Sequence, residues 1–186
     1  MAFDKLDIIL SELKEAAQAV DAVQAEQFAE AILAAKKIFV AGAGRSGCIA
    51  RAFANRLMHL GFEVYFVGDI TVPAIKKGDV LVVSSGSGTT AGLVAMAQKA
   101  QKQGADIITM TIVPENTIGK MSKAYVQLPG TTRLIAQGEA VGESLQPVGS
   151  MFEQLSWLTY DAIIMLLKQK TKQSNEDLIA RHGNLE

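Results

Sequence analysis

The chain has 186 residues, 49% of them hydrophobic, with 18 Lys and Arg against 19 Asp and Glu for a net charge of −1. That length suits one domain with a well-buried core, and the even charge balance gives no basic field for nucleic acid or a membrane surface. One cysteine, Cys48, excludes an internal disulfide framework and fits a reducing, cytoplasmic setting. No charged-then-apolar leader opens the sequence, and no apolar run approaches membrane-spanning length.

Residues 3 to 35 carry apolar side chains at helical spacing, from Phe3, Leu6 and Ile9 to Phe28, Ile32 and Leu33. A break near Asp21 to Glu26 predicts two helices outside any βαβ unit, an arm packed either on another subunit or on the core. From Lys37 a regular alternation begins. The strand-like runs are Ile38 to Val40, Val64 to Val67, Val80 to Val83, Ile107 to Ile112 and Tyr125 to Leu128. Helical patterns at Cys48 to Leu60, Leu93 to Gln103 and Ile118 to Lys123 separate most of them. The strands are continuous aliphatic runs, as expected where helices cover both faces of a parallel sheet. Five such strands predict a doubly wound α/β/α domain of order 2-1-3-4-5 over residues 37 to 130.

Residues 130 to 148 read as a polar loop. Pro147 then suits the first position of a helix over 148 to 169, which is apolar nearly all round between Leu155 and Leu167 and so is expected to be buried. Ser174 predicts the N-cap of a short closing helix ending at His182 and Gly183. The expected organisation is one domain over 1 to 186. It has a helical arm at 1 to 35, the sheet core at 37 to 130 and C-terminal helices at 148 to 186.

Two loops carry the chemistry. The stretch Ser84-Ser85-Gly86-Ser87-Gly88-Thr89-Thr90 follows the apolar run Val80 to Val83 and precedes a helix. Five hydroxyls, two glycines and a helix N-terminus make an anion cradle. It has no lysine, so it departs from the nucleotide P-loop; a plain helix cap would need only one hydroxyl. The loop Gly42-Ala43-Gly44-Arg45-Ser46-Gly47 matches G-x-G-x-x-G, with Asp69 where a ribose-binding acid would be sought, so a nicotinamide enzyme is a rival. Against it, Arg45 and Ser46 supply side-chain donors where a dinucleotide motif relies on backbone, and the second loop would have no task. With strand order 2-1-3-4-5 both loops converge on one small anion, and a sugar phosphate fits.

These two loops resemble those of the sugar isomerase (SIS) domain family, whose marks are G-x-G-x-S and S-x-S-G-x-T. More narrowly the chain resembles the 6-phospho-3-hexuloisomerases, through GAGRSG, Arg56-Leu57-Met58-His59-Leu60-Gly61, the segment Gln146 to Gln154 and the ending Arg181 to Glu186. The resemblance implies conversion of D-arabino-3-hexulose 6-phosphate to fructose 6-phosphate, in the ribulose monophosphate route of formaldehyde assimilation. It also implies a homotetramer that needs no metal or redox cofactor. It carries phosphate binding to Ser46, Ser85, Ser87 and Thr90, with Arg45, Gly44, Gly86, Gly88 and Thr89 as further substrate contacts. Alternatives are another phosphosugar isomerase, such as one acting on arabinose 5-phosphate, and a non-catalytic sugar-phosphate sensor.

Moving a carbonyl from C3 to C2 through an enediol needs a base at carbon and an acid at the oxygens. Glu153 is the expected base: placed past the first turn of its helix, it has no dipole role, and burial beside Phe152, Leu155 and Trp157 would raise its pKa. Asp161 competes on the same helix. Of two histidines, His59 is expected to assist as acid or in ring opening. It lies about three turns from the first loop, so a site shared across subunits would serve it. His182 is the reserve, with helix termination as its other role. Cys48 is expected to be a small buried residue.

Overall fold

A computed structural model describes residues 4–135 and 144–185. In chain order these form α1 Asp4–Ala17, α2 Ala22–Ala34, β1 Ile38–Gly42, α3 Gly44–His59, β2 Val64–Phe66 and β3 Val80–Ser84. They continue with α4 Ala91–Lys102, β4 Asp106–Thr111, α5 Thr117–Met121, β5 Ala124–Gln127, α6 Ser150–Lys170 and α7 Asn175–Ala180. The five strands make one parallel sheet of order β2-β1-β3-β4-β5. Part of the expected 130–148 loop, and Phe3 of the arm, lie outside the described residues.

Strand residues divide between two cores with period 2. Ile38, Val40, Val80 and Val82 join α2, α3 and α6 on one face; Phe39, Ala41, Leu81 and Val83 join α4 and α5 on the other. Both faces are apolar, which is why the runs show no alternation.

Several boundaries differ from the sequence reading. The first break falls at residues 18–21, because Asp21 caps α2 by accepting from Val23 N (2.7 Å). α2 is no detachable arm: Phe28, Ala29 and Ile32 are fully buried, and Gln24 Oε1 accepts from Gln127 N (2.8 Å) on edge strand β5. α3 begins at Gly44, four residues early, so Arg45, Ser46 and Gly47 form its first turn. α6 begins at Ser150 with Gly149 (φ +94°) as its N-cap, so Pro147 sits in the preceding turn.

α6 is also not buried all round. Trp157, Leu158 and Met165 are 47%, 52% and 72% exposed; α1, α2 and α3 pack on its inner face. Cys48 is exposed, because α3 turns Gly47, Ile49 and Ala50 inward and leaves position 48 on the outer side.

Candidate functional site

The register pairs Gly42 with Ser84. The two loops therefore leave neighbouring strand ends on the carboxyl edge, at the switch point between β1 and β3. Tight packing fixes the first loop. A Cβ on Gly42 or on Gly47 would come within 2.8 Å of the other's backbone, so helix and strand meet only as glycines.

In the second loop every carbonyl from Ser85 to Gly88 is already engaged. Ser85 O accepts from Gly88 N (3.2 Å), Gly86 O from Ile112 N (2.9 Å) and Thr111 Oγ1 (3.1 Å), Ser87 O from Asn116 Nδ2 (2.8 Å), and Gly88 O from Ile118 N (3.0 Å). The loop thus presents donors to the cleft. Ser85 and Ser87 are buried, and their Oγ atoms accept from Gly88 N (3.2 Å) and Thr89 N (3.3 Å). A hydroxyl accepting in this way still has its own O–H to donate. Thr90 is the N-cap of α4 but makes no side-chain cap bond, and Ala43 before α3 makes none either. The plain capping account of these hydroxyls is therefore not supported. Two helix N-termini and a hydroxyl-rich loop meet here, an arrangement whose partial positive charge favours an anion.

The cleft, about 440 Å³, is lined by Gly44, Arg45, Ser46, Ser85, Gly86, Ser87, Thr90 and Glu153. Gly88 and Thr89 are outside this lining; Thr89 is exposed, and Gly88 (φ +64°) turns the loop. Val148 and Gly149, within the segment Gln146 to Gln154, also line the walls, as do Thr132 and Arg133, which no motif marked. Gly86 packs so closely on Thr132 that a Cβ would stand 2.8 Å from its methyl group.

Glu153 does not lie past the first turn of its helix, where the sequence reading expected it. The late start of α6 brings it into the first turn, where the dipole favours a negative charge, and Arg45 Nε donates to its Oε2 (2.5 Å). Its side chain is 15% exposed, whereas that of Arg45 is 72% exposed. The pairing pushes the Arg45 guanidinium pKa up. Trp157 is half-exposed, so the apolar burial expected around Glu153 is one-sided.

His59, His182 and Asp161 line a separate hollow of about 440 Å³ with Arg51, Arg56 and Trp157. His59 is buried and stacks on the His182 ring, centroids 4.8 Å apart and planes 19° apart. Burial, then His182 and Arg56, push the His59 pKa down, toward a neutral imidazole. No local pattern announces this pairing of a helix end with the chain's last turn. The hollow lacks the donor loop, so the first cleft is the better anion site. Asp69, the would-be ribose acid, is bound by Arg51 Nη1 (3.0 and 3.2 Å), which stacks on Phe66. Among the described residues no three His, Cys, Asp or Glu side chains converge as metal ligands, and no helix is long and apolar enough to cross a membrane.

The SIS domain family matches residues 31–142. The 3-hexulose-6-phosphate isomerase of Bacillus subtilis (strain 168) is 40% identical over 178 residues, spanning 96% of this chain and 95% of that protein. The enzyme of the same name from Mycobacterium gastri is 39% identical, over 98% and 90%. A solved Methanococcus jannaschii protein, whose structure infers a 3-hexulose-6-phosphate isomerase function, superposes with a TM-score of 0.83. It is 31% identical over 99% of this chain and 100% of its own. On both its loops and its full-length likeness, the chain belongs to the SIS domain family, in the group of the 3-hexulose-6-phosphate isomerases.

Proposed function

We propose that this chain is an isomerase that interconverts D-arabino-3-hexulose 6-phosphate and D-fructose 6-phosphate through an enediol. The observation that carries the reading is the shared cleft: the loop over residues 85 to 88, whose carbonyls are all engaged, contributes to the same lining as the Glu153 carboxylate. The phosphate is held by Ser46, Ser85, Ser87 and Thr90 with the α3 and α4 N-termini. Glu153 takes the proton from C2 of the 3-ketose and returns it to C3, while the O2 proton leaves and O3 gains one. Arg45, bonded to Glu153, stands where charge develops on the enediolate oxygens.

The histidines line a different hollow of the same chain, so their part in oxygen proton transfer calls for a second copy whose His59 faces this cleft. The exposed apolar side chains Leu6, Leu10, Trp157, Leu158 and Met165 support self-association, which we take to end in a homotetramer. The reaction belongs in the cytoplasm, in formaldehyde assimilation. The direct test is incubation with D-arabino-3-hexulose 6-phosphate. Appearance of fructose 6-phosphate is expected, and its absence with a folded protein would sink the reading.

A further inference from the structure

α1 lies outside the sheet, yet it reaches the cleft in two ways. Leu10 and Leu13 wall an apolar groove whose other side includes Arg45, Glu153 and Trp157. Between them, Glu12 takes three hydrogen bonds from a segment far along the chain: from Ser144 Oγ (2.6 Å), Leu145 N (2.8 Å) and Gln146 Nε2 (2.9 Å). These bonds, Ser144's first, hold the Glu12 carboxyl below its ordinary pKa. Only an ionised carboxylate accepts from so many donors without presenting a hydrogen of its own.

The clamped segment leads directly to the candidate base. Gln146 N donates to Ser144 Oγ (3.1 Å), and Ser150 N donates to Pro147 O (3.0 Å). Gly149, in the left-handed region at φ +94°, turns the chain into α6, and its carbonyl accepts from Glu153 N (3.0 Å). Val148 and Gly149 line the cleft beside Glu153. Each step from Glu12 to Glu153 is thus a hydrogen bond or a short run of chain. Residues 144–146 immediately precede the turn that opens α6 at Ser150.

We propose that Glu12 is a positioning residue for the isomerisation: by clamping residues 144–146 it fixes the start of α6, and through it the Glu153 carboxylate. This rests on Glu153 being the base. α1 then acts on catalysis as well as on packing.

The test is steady-state kinetics on the full-length protein for Glu12→Ala, Glu12→Gln, Gln146→Ala and Glu153→Gln, and for Glu12→Ala combined with Glu153→Gln. Glu12→Ala should lower kcat by about tenfold to a hundredfold, as misplacement of a reacting group does. KM should stay within about threefold, because the phosphate donors lie on other elements. Glu12→Gln keeps one acceptor oxygen and should be intermediate; it also carries the test if Glu12→Ala does not fold. Adding Glu12→Ala to Glu153→Gln should cost nothing further. Wild-type kcat for the Glu12 and Gln146 variants beside an inactive Glu153→Gln would overturn the clamp alone, as would a further loss in the combined variant. Wild-type turnover by Glu153→Gln would overturn the base assignment and this route with it.

Discussion

In the proposed reaction, Glu153 and the cradle serines divide the chemistry of one ligand between its carbon and its phosphate. Glu153→Gln preserves shape and can still meet Arg45, but it removes basicity. Turnover should fall by about two to four orders of magnitude with KM little changed. Solvent deuterium should enter the product in the native enzyme and hardly at all in the variant; normal turnover would transfer the role to another group. Each of Ser85 and Ser87 offers one hydroxyl to a charged acceptor, about 1.5–3 kcal/mol apiece. Each single alanine variant should lose about tenfold to a hundredfold in affinity for the sugar phosphate, and unchanged binding by Ser85→Ala, Ser87→Ala together would dismiss the cradle. Glu153 was legible as the candidate base, but its reason was not. The sequence pointed to a carboxylate past the first turn and buried among apolar neighbours, whereas the fold supplies a helix N-terminus and a guanidinium 108 positions away.

At the scale of elements, α7 has no buried residue; Leu178 packs partly buried on the core, and polar contacts tie the end of the helix to α3. Arg181 Nη1 donates to His59 O (3.1 Å), His182 stacks on His59, and a capping box between Ser174 and Asp177 holds the helix start. Because the folded state depresses the His59 pKa, the unfolded chain takes up its proton first as pH falls. The stabilisation is whole above the ordinary histidine value of 6.5 and declines as pH drops below it toward the folded pKa. Arg56 and His182 face the same ring and oppose its charging, while Asp161 lines the same hollow. Thermal unfolding followed from pH 7.5 to 5.5 should show Tm falling, with a smaller slope in His59→Phe. An equal slope in both proteins would remove His59 as the cause.

On the scale of the whole molecule, one face of α6 and part of α1 leave large apolar side chains in solvent. A five-stranded domain with helices on both faces has no further layer of its own to cover them. A closed oligomer would bury that surface. Sedimentation at micromolar concentration should give a homo-oligomer, and Trp157→Glu should shift it toward smaller species with a parallel loss of turnover if His59 serves a neighbouring copy. A native monomer with full turnover would rule out the shared arrangement.

Strand order and both strand-to-helix loops were readable in the sequence, because continuous aliphatic runs and glycine-hydroxyl clusters are local signals of buried parallel strands and strand-to-helix turns. The candidate cradle was a local signal for the same reason: the hydroxyls of its second loop lie within seven consecutive residues. What only the tertiary structure decided involves groups brought together from distant positions. The Arg45–Glu153 pair, the His59–His182 stack and the Glu12 clamp each join residues more than 100 positions apart. The open face of α6 belongs with them, since an apolar helix reads the same whether its own chain or another covers it. Periodicity records how apolar a face is; which partner lies against it is set by the packing of the layers.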